Sequence, residues 1–241
     1  MQSTATPSRE RRHQASRGFA TTHWSLVVRA KSPDGQRALA ELCRRYWAPV
    51  HAFIRGLGLT PEDAADVTQG LFESLLKRND FATVDRTRGR FRSWLRACAR
   101  NYVASWFEHH GGVTVGAKAT HVSVDSCQDV LRDELTPDRS FDRQWALTVL
   151  SCALARLRCR YERANKVELF VHLHPGLGDS AEGLPDKDLA PLLGKSVGAI
   201  KVERHRLRRR FHECVRAEVA QTVADEGDVE EELRRLIDAL A

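Results

Sequence analysis

The chain is 241 residues long, enough for one large domain or two small ones, since domains commonly run to about 100–150 residues. Hydrophobic residues at 42% and charged residues at 29% sit near the globular mean and exclude wholesale disorder. The 38 basic against 32 acidic residues leave a formal charge of +6 and a pI near 9.2, which points to an acidic partner only where the cations cluster.

Residues 1–18 are polar, aperiodic and rich in Arg, Ser and Thr, a composition that predicts a disordered tail. They hold Arg9, Arg11, Arg12 and Arg17 but no apolar run, so no secretion signal is expected. From Ala38 to His51 the positions Leu39, Leu42, Cys43, Tyr46, Trp47 and Val50 recur at three and four, a helical stripe. Thr60-Pro61-Glu62-Asp63 opens the next helix, over 61–76. Thr60 can cap it, Pro61 needs no N–H there, and the acids suit the positive end of the dipole. Val67, Leu71 and Leu75 form its apolar face. A third stripe comprises Phe91, Leu95, Cys98, Ala99, Tyr102 and Trp106.

Periodicity dissolves over 108–140 and returns after Thr136-Pro137, in Ala146, Val149, Leu150, Ala153, Leu154 and Leu157. A short helix near 164–173, a Gly/Pro loop from His174 to Pro185, and helices over 186–193 and 197–219 follow. No strand alternation or repeat is visible. The expected fold is all-α: two small helical domains, 19–107 and 141–220, joined by a flexible 108–140 linker and followed by an acidic amphipathic extension over 221–241. The longest apolar run, Val149 to Ala155, is far short of the ~20 residues a membrane span needs. No membrane insertion is expected, and a cytoplasmic location fits best.

Six cysteines (Cys43, Cys98, Cys127, Cys152, Cys159 and Cys214) form no Cys-x-x-Cys pair and no zinc spacing with histidine, so structural thiols in a reducing compartment are expected. His172-x-His174 has no cysteine close in sequence. No metal, cofactor or catalytic residue is expected.

Three segments carry chemistry. On the 61–76 helix, Glu62, Asp66, Gln69 and Glu73 fall at steps of four, three and four, opposite the apolar face. This is either a solvated face or a surface that docks on a basic partner. Gly70 interrupts the helix at a cost of about 1 kcal/mol relative to alanine, with no local reason in the sequence. The 86–106 stretch carries Arg86, Arg88, Arg90, Arg92, Arg96 and Arg100, and Trp94 departs from its apolar stripe. An aromatic beside Arg96, Arg100 and Asn101 suits unstacked bases: the ring stacks, the amide bonds a base edge, and guanidinium groups hold phosphate. The plainer alternative is Trp94 packed against the first helix or the linker.

Near the C-terminus, Asp186 to Leu193, the turn Gly194-Lys195-Ser196 and Val197 to Phe211 have helix-turn-helix spacing. Measured from Ile200, Leu207 and Phe211 return to one seam, while Gly198, Lys201, His205, Arg208 and Arg209 gather on the far arc, bordered by Val202 and Arg206. A major groove admits one such helix, whose cations grip phosphate or read guanine edges. Pro191 is awkward in the preceding helix and is expected to shorten or kink it. The acids of Asp225 to Glu232, followed by Leu233, Leu236, Ile237 and Leu240, predict a short amphipathic helix that either packs on its own domain or covers the basic recognition helix.

In these residues the chain resembles an extracytoplasmic-function sigma factor, over about residues 19–241. Pro61 to Gln69 is similar to the core-binding segment of that family, Gly89 to Leu95 with Ala99-Arg100-Asn101 to the segment that melts and reads the minus-ten element, and Gly198 to Arg206 to the minus-thirty-five recognition helix. A Phe19–Ser25 opening, His205 to Arg210, and the closing Thr222–Arg234 segment resemble one subgroup. The resemblance implies sigma region 2 over 19–107 and region 4 over 141–220. It implies that Glu62, Asp66, Gln69 and Glu73 dock the β′ clamp of core RNA polymerase. Trp94, Arg96, Arg100 and Asn101 would engage the minus-ten element, and Lys201, Val202, His205, Arg206, Arg208 and Arg209 the minus-thirty-five element. Promoter DNA and core polymerase are the implied partners, with control by an anti-sigma factor, phosphorylation or the C-terminal tail left open. Gly70 stands where that family usually has glutamate, implying one polymerase contact fewer. Two other readings stand beside it: a helix-turn-helix repressor or activator that acts without polymerase, and a metal-dependent nucleic-acid hydrolase using His172, His174 and a carboxylate.

Overall fold

The computed structural model describes residues 35–78, 80–84, 90–109, 136–177, 183–223 and 225–241. The expected tail, the Phe19–Ser25 motif, Arg86, Arg88, Cys127 and residues 110–135 of the expected linker lie outside them. Among the described residues there are eight α-helices and no strand: α1 (Gln36–Gly56), α2 (Pro61–Lys77), α3 (Phe91–His109), α4 (Pro137–Arg163), α5 (Val167–Leu173), α6 (Asp186–Leu192), α7 (Val197–Val219) and α8 (Val229–Asp238). The all-α expectation holds. Because α3 runs to His109 and α4 starts at Pro137, both boundaries expected for a 108–140 linker move inward. No helix among the described residues is long and apolar enough to cross a membrane.

Local chemistry sets the helix starts. Thr60 Oγ1 accepts from the Asp63 N–H at 3.1 Å, Thr136 Oγ1 from Arg139 at 3.3 Å and Ser196 Oγ from Ala199 at 3.2 Å. Each satisfies one of the donors that a helix start leaves open, and Pro61 and Pro137 supply the first residue of their helices with φ already set.

The stripe on α1 buries Ala38, Leu42, Tyr46, Val50, Phe53 and Ile54, whereas Trp47 stays half exposed, stacked on Phe72 at 6.0 Å. Helix α1 packs on α2 and α3, but its most extensive contact is with α4, which in turn lies along α7. Phe53 meets Phe141 edge-on at 6.3 Å across the α1–α4 seam. The buried side chains of the 19–107 and 141–220 segments therefore form one continuous cluster. An ionic staple reinforces it. Glu218 of α7 is nearly inaccessible, and its carboxylate takes Arg45 of α1 at 3.2 Å and Arg156 of α4 at 2.7 Å. Removing one partner of so buried a set leaves an uncompensated charge, at a cost of about 3–5 kcal/mol.

Candidate nucleic-acid interface

Helix α6 ends in a Schellman cap. Gly194 adopts φ +59°, a left-handed conformation that glycine reaches without Cβ strain. Lys195 N–H returns to the Ala190 carbonyl at 2.9 Å and Gly194 N–H to Pro191 at 3.3 Å. The helix includes Pro191 and ends one residue later, at Leu192, against the 186–193 expected. Pro191 lies on the solvent side, one residue from the helix end, where the missing N–H removes a single bond and its carbonyl still serves the cap.

Arg204 fixes the angle between α6 and α7. Its Nε and Nη2 donate to Asp186 Oδ1 at 2.9 and 2.8 Å, and Nη2 also donates to the Leu184 carbonyl at 3.1 Å. Ile200 and Leu207 are buried, and Lys201, Val202, His205, Arg206, Arg208 and Arg209 are all exposed on the opposite arc of α7. Gly198 is exposed near the start of that helix, with open space where a side chain would stand. Three of the six are partly engaged within the fold: Arg208 donates to the Gly176 carbonyl at 3.2 Å, and on the same helix Arg206 lies 3.3 Å from Glu203 and Arg209 3.6 Å from Glu213.

The acidic stripe is also accessible. Glu62, Asp66, Gln69 and Glu73 are exposed on α2, and Gln69 donates to Glu73 at 3.0 Å, a bond that holds the Glu73 carboxyl below its ordinary value. Gly70 now has a structural reason. A Cβ at this position would lie 2.5 Å from the Tyr102 hydroxyl, so the glycine lets α3 seat Tyr102 against α2.

The α3 arginines are placed differently from the α7 row. The buried stripe of α3 is Phe91, Leu95, Ala99 and Val103, with Cys98, Tyr102 and Trp106 only partly buried. Arg92 is buried as well, because this side of α3 faces α4 and α8. Arg92 lies 3.1 Å from Asp142 and 3.0 Å from Glu232, its guanidinium 4.2 Å from the centre of the Trp145 ring. Arg96 reaches Asp138 at 3.2 Å and Asp142 at 3.3 Å, and Arg100 reaches Asp138 at 3.2 Å. Arg90 lies 3.1 Å from Glu232. Burial dominates the Glu232–Arg92 pair: it pushes the carboxyl above its ordinary value and pulls the guanidinium below its own, with each partner opposing the effect on the other. Arg92 Nε and Trp145 Nε1 are buried without a hydrogen-bond partner, a cost of about 1–3 kcal/mol each.

Trp94 is partly buried, 5.7 Å from the Phe81 ring and 5.4 Å from Phe91. Asn101 is exposed at the rim of a cavity of about 470 Å³ between α2 and α3, lined by Leu71, Tyr102 and Trp106 among others. Among the described residues the C-terminal acids pair away from the exposed α7 row: Glu231 with Arg90, Glu232 with Arg90 and Arg92, and Glu230 with Arg216 near the far end of α7.

The roles of Arg92, Arg204, Asp138, Asp142 and Glu232 emerge only from the packed helices. One signal for the charge lock is present in the sequence, since Arg92, Arg96 and Arg100 and the pair Asp138 and Asp142 run in steps of four and present matching rows of opposite sign. Burial pushes the Cys43, Cys98, Cys152 and Cys214 thiols up, against thiolate chemistry. Among the described residues no three His, Cys, Asp or Glu side chains are grouped to hold a metal. In comparisons with known protein families, curated proteins and solved structures, nothing matches the chain.

Proposed function

We propose that the protein is a sigma-type transcription initiation factor with no catalytic chemistry of its own. It docks on core RNA polymerase through the α2 stripe, grips upstream duplex with α7 and holds unpaired promoter bases with α3. On the polymerase the 19–107 and 141–220 segments act as two modules, and their two DNA grips reinforce each other through the chain that joins them. The observation that carries this reading is the α7 row, Lys201, Val202, His205, Arg206 and Arg209, exposed opposite a buried seam and set behind a capped turn. The accessible Glu62–Glu73 stripe, on a separate helix, supports a protein partner in addition to DNA.

The test is co-purification with core polymerase followed by runoff transcription. Asp66→Ala with Gln69→Ala is expected to reduce polymerase retention and leave duplex binding intact. Lys201→Ala with Arg206→Ala is expected to weaken promoter binding and flatten its salt dependence by about 0.9 for each phosphate no longer neutralised. Duplex binding without polymerase retention would instead make the chain a helix-turn-helix repressor, and a chain that binds neither refutes the proposal.

A further inference from the structure

The α7 row is open to solvent, whereas the α3 arginines are paired with carboxylates from segments far along the chain. Glu232 is 0% exposed between Arg90 and Arg92, Glu231 lies 3.7 Å from Arg90, and Asp138 and Asp142 hold Arg96 and Arg100. We propose that α8 and the first turns of α4 are a tethered competitor for nucleic acid, closing the arginine face of α3 in the free chain and giving way when phosphates take their place. The inference rests on the DNA-binding role proposed for α3 and assigns to it a regulation of its own.

Three observations carry it. Glu232 and Asp142 both meet Arg92, and Asp138 and Asp142 both meet Arg96, while Lys201, Val202 and His205 of the α7 row stay exposed. A carboxylate on the same chain competes at an effective concentration of order millimolar, so it suppresses weak phosphate contacts without any external inhibitor. The junction is also incompletely satisfied, with Arg92 Nε and Trp145 Nε1 unpaired, which suits a contact made to open rather than one built for stability. The free chain therefore leaves the α7 row exposed and holds Arg90, Arg92, Arg96 and Arg100 in ion pairs that phosphates must displace.

The test measures binding of an oligothymidylate by the full-length chain, using fluorescence anisotropy across a salt series. Glu231→Gln with Glu232→Gln is compared with Asp228→Asn plus Asp238→Asn, which makes the same charge change on exposed acids that have no α3 contact. The first pair is expected to tighten binding about tenfold and steepen the salt slope by about 1.4, two phosphates at ~0.7 each, with the control near wild type. If the first pair loses its cooperative helical melt, Asp138→Asn with Asp142→Asn is measured, since together they free Arg96 and Arg100 while Glu232 stays on Arg92. Equal affinities and slopes in all variants overturn the proposal, and wild-type runoff transcription measured alongside shows whether the sigma reading survives it. If no variant binds and wild type neither retains polymerase nor transcribes, both fall together.

Discussion

Substituting Gly70 by alanine sets two effects of known sign against each other. In an unobstructed helix the change gains about 1 kcal/mol, because alanine loses less backbone entropy on folding. At this site the new methyl would stand 2.5 Å from the Tyr102 hydroxyl, well inside contact distance, and overpacking of this kind costs about 1–3 kcal/mol. The net expectation for Gly70→Ala is a loss of roughly 0–2 kcal/mol. Removing the hydroxyl alters the arithmetic. With Tyr102→Phe the nearest atom becomes the ring Cζ at 3.4 Å, an ordinary contact, and the full alanine gain of about 1 kcal/mol should then appear. The assay is thermal and urea unfolding, followed by circular dichroism, of wild type, both single variants and the double. For a chain of this size 1 kcal/mol moves Tm by about 2–4 °C, and the cycle should yield a coupling of about 1–3 kcal/mol. If alanine stabilises both backgrounds equally, the Tyr102 contact is not what the glycine accommodates.

Two further outcomes follow from the same geometry. Ser196→Ala removes the α7 cap and should cost about 1 kcal/mol in urea unfolding while Ser196→Asp retains most of it; equal loss in both would refute the capping role. Native Glu232 keeps its proton to higher pH than an unfolded glutamate, near 4.5, so its protonation stabilises the fold as pH falls through that interval and contributes nothing above it. Glu41, where burial is outweighed by bonds from Arg44 and Arg45, has the opposite sign: its contribution is present above the unfolded value and lost as pH falls. The stability of wild type relative to Glu232→Gln should therefore rise as pH falls from neutral towards the ordinary glutamate value of 4.5, and a constant or falling difference would refute the assignment.

The helices are legible in the sequence because their signals are local. Thr60-Pro61, Thr136-Pro137 and Ser196 mark starts by short-range hydrogen bonding, and Gly194 marks a stop by its backbone freedom. The exposed face of α7 is legible for a related reason, since Ile200 and Leu207 on the same helix define its opposite side. The α3 face is not. An arginine at a solvated position and one held against a distant carboxylate give the same periodicity, so Arg96 reads as a phosphate ligand until α4 is placed beside it. Gly70 has the same character: its reason is Tyr102, on another helix.

The seam between α1 and α4 has a consequence for biosynthesis. About a hundred residues separate the starts of the two helices, so at 5–20 residues per second α1 leaves the ribosome roughly 5–20 s before its main packing partner is made. During that interval Phe53 and its neighbours have no α4 to cover them, which makes the nascent chain a natural client for a holding chaperone. Slower decoding between the two helices should therefore raise the aggregated fraction without altering any residue of the finished protein.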